Sequence, residues 1–233
     1  MRTEWSAGRG SVGGDKDDVL MLDDGVPEPL AEPPPNQVEH VAALIDALLS
    51  DERSPSAVTK FYDPTTTYAG DTFLGLAPNE PYAIGTADLL AVTLLDVNPG
   101  VAAARALLPG GKLANQTSAL LARIPLGVAV WEATDDDLAW SGSLWSLLRN
   151  VDGVGRTIAG KLMARKRPEL IPIVDDVVHG RLGCLTGTYW TTFRRVLQDP
   201  SRRARIASLA PHVPALRVLD TLMWMHWRKH GLS

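Results

Sequence analysis

Apolar residues recur at three- and four-residue spacings along most of the chain, the pattern of helices that each bury one face. Val38, Val41, Leu44, Ile45, Leu48 and Leu49 predict a helix ending near Ser50, and Ser54-Pro55 opens another that runs to about Phe61. Thr86 as N-cap, with Asp88 in the first turn, starts a helix reaching about Val97. Its apolar residues go nearly all round, which predicts a central position. Further helices are predicted at about 99–108, 113–123, 131–140, 144–150, 156–165, 176–182, 189–198, 200–209 and 214–230. Residues 62–75 break the helical pattern. Thr66-Thr67-Tyr68 and Thr72-Phe73-Leu74 alternate around Ala69-Gly70-Asp71, which predicts either a small β-hairpin or an ordered loop. The fold class is all-α, a two-lobed helical bundle over residues 38–233. Residues 1–37 carry glycines, acidic clusters and Pro33-Pro34-Pro35, and predict a disordered acidic tail in which Val19-Leu20-Met21-Leu22 is either a stretch that docks on the body or simply a sticky one.

Composition narrows the chemistry. The 233 residues are 45% hydrophobic, enough for one good-sized core. A single cysteine, Cys184, excludes an internal disulfide and a cysteine-built zinc or iron–sulfur site, and reads as a small buried hydrophobe. His226 and His230 stand at i, i+4 without a third ligand in sequence, so no metal is expected. No apolar run reaches the ~18 residues of a membrane span, and no basic-then-apolar leader is visible. No membrane association and a cytoplasmic location are the expectation.

Charge is unevenly spread. Residues 1–150 hold 9 Lys+Arg against 21 Asp+Glu, net −12, while residues 151–233 hold 14 against 6, net +8. Such asymmetry predicts a local basic face that meets an anionic partner. That face centres on Leu144–Val178. Leu144, Leu147 and Leu148 form one helical face, the turn Val151-Asp152-Gly153-Val154-Gly155 follows, and Ile158, Leu162 and Met163 resume the face. The turn ends at a helix N-terminus, where unpaired amides and the helix dipole favour an anion such as a nucleic-acid phosphate.

Residues 143–165 followed by the loop 166–176 resemble the helix-hairpin-helix and aspartate loop of the DNA glycosylase superfamily named for these features (HhH-GPD). The likeness is closest to the adenine-glycosylase-type hairpin. Val151-Asp152-Gly153-Val154-Gly155-Arg156-Thr157-Ile158-Ala159-Gly160 matches the hairpin, and Ile171-Pro172-Ile173-Val174-Asp175 matches the aspartate segment, with Asp175 18 residues after Thr157. The chain as a whole also resembles an uncharacterised family of actinobacterial helical proteins. Three departures stand out. Thr157 occupies the position where lyase-type members carry a Schiff-base lysine, Val151-Asp152 replaces Leu-Pro, and the four-cysteine cluster segment is missing.

The resemblance implies monofunctional hydrolysis of an N-glycosidic bond in double-stranded DNA, as in base-excision repair, by a nucleoid-associated protein without an iron–sulfur cluster. It implies that Asp175 stabilises positive charge on the sugar of a flipped nucleotide; read on its own, the same residue is equally a helix cap. Backbone amides of Gly153, Val154 and Gly155 are expected on phosphate, supported by Arg156, Thr157, Lys161, Arg165, Lys166 and Arg167. Tyr189 and Trp190 are candidates for a base pocket or for core packing, and Trp131, Trp140, Trp145, Trp224 and Trp227 read as core. The family's hairpins can also hold a monovalent cation on backbone carbonyls. Two alternatives remain at this point. One is a non-catalytic hairpin module that binds DNA; the other is a protein-interaction domain that binds none, with partners the sequence does not identify.

Overall fold

The computed structural model describes residues 30–185 and 187–228. Twelve helices and no strand lie among them. In chain order the first six are α1 (Pro35–Ser50), α2 (Ser54–Tyr62), α3 (Gly70–Gly75), α4 (Thr86–Thr93), α5 (Gly100–Leu107) and α6 (Ala114–Arg123). The rest are α7 (Asp135–Arg149), α8 (Arg156–Lys166), α9 (Asp176–Leu182), α10 (Tyr189–Val196), α11 (Pro200–Leu209) and α12 (Ala215–Trp227). No helix among the described residues is long and apolar enough to cross a membrane.

The buried apolar side chains form one connected cluster. Two helices organise it. α12 packs on α1, α2, α9 and α11, and α8 packs on α4 and α7. Every residue of α8 from Ile158 to Lys166 is buried, so α8 takes the central place that the apolar pattern assigns to the helix at Thr86. α4 instead lies at the surface, with Leu90 54% exposed. The reason is Asp88. Its carboxylate is 1% exposed and bonded to Arg165 and Lys166 of α8, and turning that face inward turns Leu90 and Leu94 outward.

Two other elements differ from their sequence reading. Residues 62–75 contain no β-hairpin; α2 runs through Tyr62, a turn follows, and Gly70–Gly75 is a short helix. Its Phe73 is buried in the core, and one inward-facing anchor of that kind is met by a single helical turn as well as by alternation. Residues 135–149 form one helix where two shorter ones are expected. Thr134 fixes its start with a capping box: Thr134 Oγ1 accepts from the Asp137 amide at 3.1 Å, and Asp137 Oδ2 accepts from the Thr134 amide at 2.8 Å.

Residues ahead of α1, from Leu30 on, pack on the body as well. Thr191 Oγ1 donates to the Ala31 carbonyl at 2.7 Å, and Glu32 pairs with Arg194 and Arg195 at 3.0 Å. Residues 1–29 of the expected tail, including Val19–Leu22, lie outside the described residues.

The charge asymmetry between the two halves has an internal explanation. Asp88 takes Arg165 and Lys166, Glu32 takes Arg194 and Arg195, Asp135 takes Arg194, and Asp46 takes Arg202 and Arg205. Acidic side chains of the first half neutralise basic ones of the second across the fold. Each exposed pair contributes at most about 1 kcal/mol, but together they neutralise six of the 14 basic side chains of residues 151–233.

Candidate functional site

The segment that carries Asp175 is placed by a glycine. A Cβ on Gly160 would lie 3.0 Å from the Val174 amide nitrogen, so the glycine in the middle of α8 gives residues 171–175 room that a side chain would crowd by a few tenths of an ångström. The chain then turns into α9 with Asp175 as N-cap, its Oδ1 accepting from the Val177 amide at 2.9 Å. Asp175 is half-buried, and it opens onto a cavity of about 660 Å³. That volume is in the range of small-molecule sites.

Besides α9 and α3, four stretches enclose the cavity. From α8 come Thr157 and Lys161, one turn apart on the same face. From α2 and the turn after it come Phe61, Tyr62 and Tyr68. From α12 come Arg217, Asp220 and Trp224. The end of α4 contributes Leu94 and the residues to Val97. Phe61, Tyr68 and Trp224 form a wall of rings, with centroids 5.7 Å (Phe61–Tyr68) and 5.9 Å (Phe61–Trp224) apart. The Arg228 guanidinium lies 5.1 Å from the centroids of both Tyr68 and Trp224. Tyr62 donates its hydroxyl to the Arg217 carbonyl at 3.1 Å, and burial pushes that phenol up to about 12.

The polar floor is ionic. Arg217 Nη2 lies 2.8 Å from Asp220 Oδ2, with the two side chains 2% and 8% exposed. Asp220 Oδ2 also accepts from the Ile173 amide at 3.1 Å. Burial, reinforced by Asp175 and opposed by Arg217 and the Ile173 amide, pushes Asp220 up to about 6. On another wall, burial lowers the Lys161 ammonium, against the opposing pull of Asp175, Asp96 and Asp176, and its Nζ donates to the Leu95 carbonyl at 2.6 Å.

The raised value of Asp220 predicts a pH effect of definite sign. A carboxyl that holds its proton more tightly folded than unfolded favours the fold in acid, and that advantage is lost as pH rises from about 4 to about 6. At about 1.4 kcal/mol per unit the loss is on the order of 3 kcal/mol. Urea unfolding of wild type and Asp220→Asn across pH 4–6.5 is expected to give curves that diverge, with wild type losing ground to the variant as pH rises. Parallel curves would contradict it.

Between α7 and α8 the chain reverses in a tight turn whose hydrogen bonds are largely internal. Gly153 has φ +78°, the left-handed backbone its turn requires. The Val154 amide donates to the Val151 carbonyl at 2.9 Å and the Gly155 amide to the Gly153 carbonyl at 3.2 Å. These two amides are therefore not free for a phosphate. The amides left without an intrahelical acceptor are those of the first turn of α8, Arg156, Thr157 and Ile158. Arg149 Nη1 donates to the Val154 carbonyl at 3.2 Å. A guanidinium thus already stands on a hairpin carbonyl, and its charge does not fit a monovalent cation there.

Three cations expected on DNA are interior. Arg165 and Lys166 hold Asp88 at 2.8 and 2.5 Å, with side chains no more than 1% exposed. Arg165 also donates to the Phe73 and Leu76 carbonyls, and Lys166 to Asn79 Oδ1 at 2.9 Å. Arg167 donates to the carbonyls of Ile124 and Pro81 at 2.9 Å and to that of Leu121, and burial pushes it down to about 10. Together they clamp residues 73–88 and 121–124 onto the end of α8, so no phosphate can reach them. Lys161 is also buried, on the cavity side. Arg156 remains at the surface, 45% exposed and 2.5 Å from Asp176.

Tyr189 and Trp190 belong to the core. Tyr189 donates to the Ile173 carbonyl at 3.0 Å and stacks on His179, while Trp190 meets Trp145 edge-on. The aromatic wall comes instead from Phe61, Tyr68 and Trp224, residues from distant parts of the sequence. Arg217 and Asp220 left a visible signal: a charged i, i+3 pair inside the largely apolar Leu216–Met223. Cys184 is a buried free thiol raised by burial, and His226 bonds the Leu222 carbonyl. His230 lies outside the described residues, among which no group of three or more His, Cys, Asp or Glu could hold a metal.

The model of a family described as "Family of unknown function (DUF6308)" matches residues 54–227, three quarters of the chain. No curated protein and no solved structure matches.

Proposed function

The chain belongs to this family of unknown function, and from its cavity we propose that it hydrolyses an N-glycosidic bond in DNA, in the manner of a monofunctional base-excision glycosylase. The observation that carries the reading is that Asp175 caps α9 at the edge of a 660 Å³ cavity bounded by the first turns of α8 and by aromatic rings. An extruded base would lie among Phe61, Tyr68 and Trp224, with its sugar toward Asp175. Asp175 Oδ1 is held by the Val177 amide, which fixes the carboxylate and leaves Oδ2 to face the sugar.

The chemistry then needs little else. The bond from the sugar carbon to the base nitrogen breaks, and the electron pair leaves with the base. The carboxylate stabilises the positive charge that develops on the sugar. Water adds to that carbon, and its proton passes to the carboxylate and on to solvent or the departed base. No imine is involved, in keeping with Thr157 at the position of the lyase lysine.

Incubation with duplexes bearing uracil, alkylated, oxidised or mismatched bases tests the proposal. Abasic sites that depend on Asp175 are the expected product, and none on any substrate would overturn it. The few surface cations set a second expectation. Arg149 and Arg156 are the exposed cations at the hairpin, so log K against log [salt] is expected to have a slope of about −2, at about −0.9 per phosphate. A slope of −4 or steeper would mean that contacts away from the hairpin dominate.

A second reading draws on the ion pairs described above. With Arg165, Lys166 and Arg167 consumed internally and Arg194, Arg195, Arg202 and Arg205 paired, the cavity could serve a small planar ligand with no nucleic acid attached. Absence of duplex binding at low salt would favour it.

A further inference from the structure

We propose that the Arg217–Asp220 pair is the recognition floor of the cavity, built for an uncharged planar heterocycle that presents an N–H beside a carbonyl or ring-nitrogen acceptor. In naming that heterocycle as the base of a nucleotide the inference rests on the reading above; the pair's role in binding does not.

Both ions are fixed from one side. Arg217 Nε donates to the Pro168 carbonyl at 3.0 Å, and Nη2 donates to the Ile171 carbonyl and lies 2.8 Å from Asp220 Oδ2 as an ion pair. Asp220 Oδ2 takes that guanidinium and the Ile173 amide. The segment 168–173 therefore holds both side chains, and neither can swing away to find another partner. On each residue one polar atom remains. Arg217 Nη1 and Asp220 Oδ1 are buried and find no hydrogen-bond partner among the described residues.

Leaving a buried donor or acceptor unpaired is costly, and more so for a charged group. Here one donor and one acceptor are left on adjacent residues of the same ion pair, and both residues border the cavity. A ligand edge with an acceptor for Nη1 and an N–H for Oδ1 satisfies both once the cavity lining shifts enough to uncover these two atoms, which it covers in this structure. The pair carries no net charge, so a neutral edge fits better than a phosphate or carboxylate, which Asp220 would repel. The rings of Phe61, Tyr68 and Trp224 supply faces for a planar molecule. Lactam and amidine edges of nucleobases have this donor–acceptor pattern; saturated sugars do not combine it with a flat apolar face.

The test uses the full chain and paired probes at pH 7.5. The probes are 2′-deoxyuridine, 2′-deoxyinosine and 2′-deoxyadenosine, each beside a counterpart whose edge N–H groups are methylated. Titration calorimetry is expected to detect at least one parent, with its methylated counterpart at least tenfold weaker. Asp220→Asn keeps an oxygen for the Ile173 amide but turns a donor toward the ligand. It is expected to lose at least tenfold for that parent and to close the gap between parent and counterpart. A pair that only ties α12 to residues 168–173 would alter stability and leave the gap unchanged. Failure of every parent to bind, equal binding of parent and counterpart, or a gap that survives in Asp220→Asn overturns the inference. Should the variant not fold, the paired probes on wild type decide alone. Edge-selective nucleoside binding without base release from any duplex would overturn the hydrolytic reading and leave this one standing. Base release without edge selectivity would do the reverse.

Discussion

Asp88→Asn is expected to lower stability by about 3–5 kcal/mol, the usual cost of removing one partner from a buried ion pair. In a chain of this length that corresponds to a Tm lower by about 10 °C. Asp88 is the sole carboxylate bonded to Arg165 and Lys166 among the described residues, at 2.8 and 2.5 Å, and its Oδ2 also accepts from the Gly85 amide at 2.8 Å. Asparagine keeps an oxygen for one of these bonds but leaves two desolvated cations without a counter-charge. Asp176→Asn is the control. Its partner Arg156 is 45% exposed, and a change of no more than about 1 kcal/mol is expected there. Thermal and urea unfolding of both variants measures the difference. Equal, small losses would mean that the carbonyls around Arg165 and Lys166 suffice, and that Asp88 is no keystone.

Asp175→Asn is expected to reduce base release by at least 100-fold while leaving the fold intact. The magnitude is that of removing a charge from the side of a developing cation or of losing a general base. The separation of roles follows from chemistry at the N-cap. Asparagine caps a helix about as well as aspartate, so the bond to the Val177 amide persists and Tm is expected to move by no more than about 2 °C. Asp175→Ala would lose the cap as well, about 1 kcal/mol. Single-turnover base release and a melting curve on the same preparation check both halves. Activity within threefold of wild type would reduce Asp175 to a cap.

Local signals were the legible part of this chain. The 3.6-residue pattern places α9 and α11 at the residues where they begin and end, and Asp175 is the N-cap that its residue type suggests. The Gly-Val-Gly turn reads correctly as a reversal because Gly153 needs a backbone that few other residues adopt. The partners of charged residues were not legible. Arg165, Lys166 and Arg167 look like a basic stretch, yet each finds its acceptors 43 to 92 residues earlier in the chain. Nothing in a helical period encodes that distance. The same holds for the cavity, whose walls come from α2, α3, the end of α4, α8, α9 and α12. Trp224 and Tyr68 meet only in the folded chain, so a sequence reading assigns the tryptophan to the core and the tyrosine to a hairpin.

Charge asymmetry misled for a related reason. A surplus of +8 in residues 151–233 suggests an external anion, but the compensating carboxylates were present in the first half all along. Asp46 illustrates the point. Its hydrogen bond and charge pairing with Arg202 hold its carboxyl below the usual range, so the neutralisation of that arginine persists well into mild acid.

The most direct measurement compares two duplexes that need no knowledge of the target base. One carries a neutral tetrahydrofuran abasic site, the other a pyrrolidine whose ring nitrogen is cationic where the sugar becomes positive in the transition state. Wild type is predicted to bind the cationic duplex at least tenfold more tightly, and Asp175→Asn to bind the two alike. Equal binding by wild type, or a preference that survives in the variant, would contradict a carboxylate acting on the sugar.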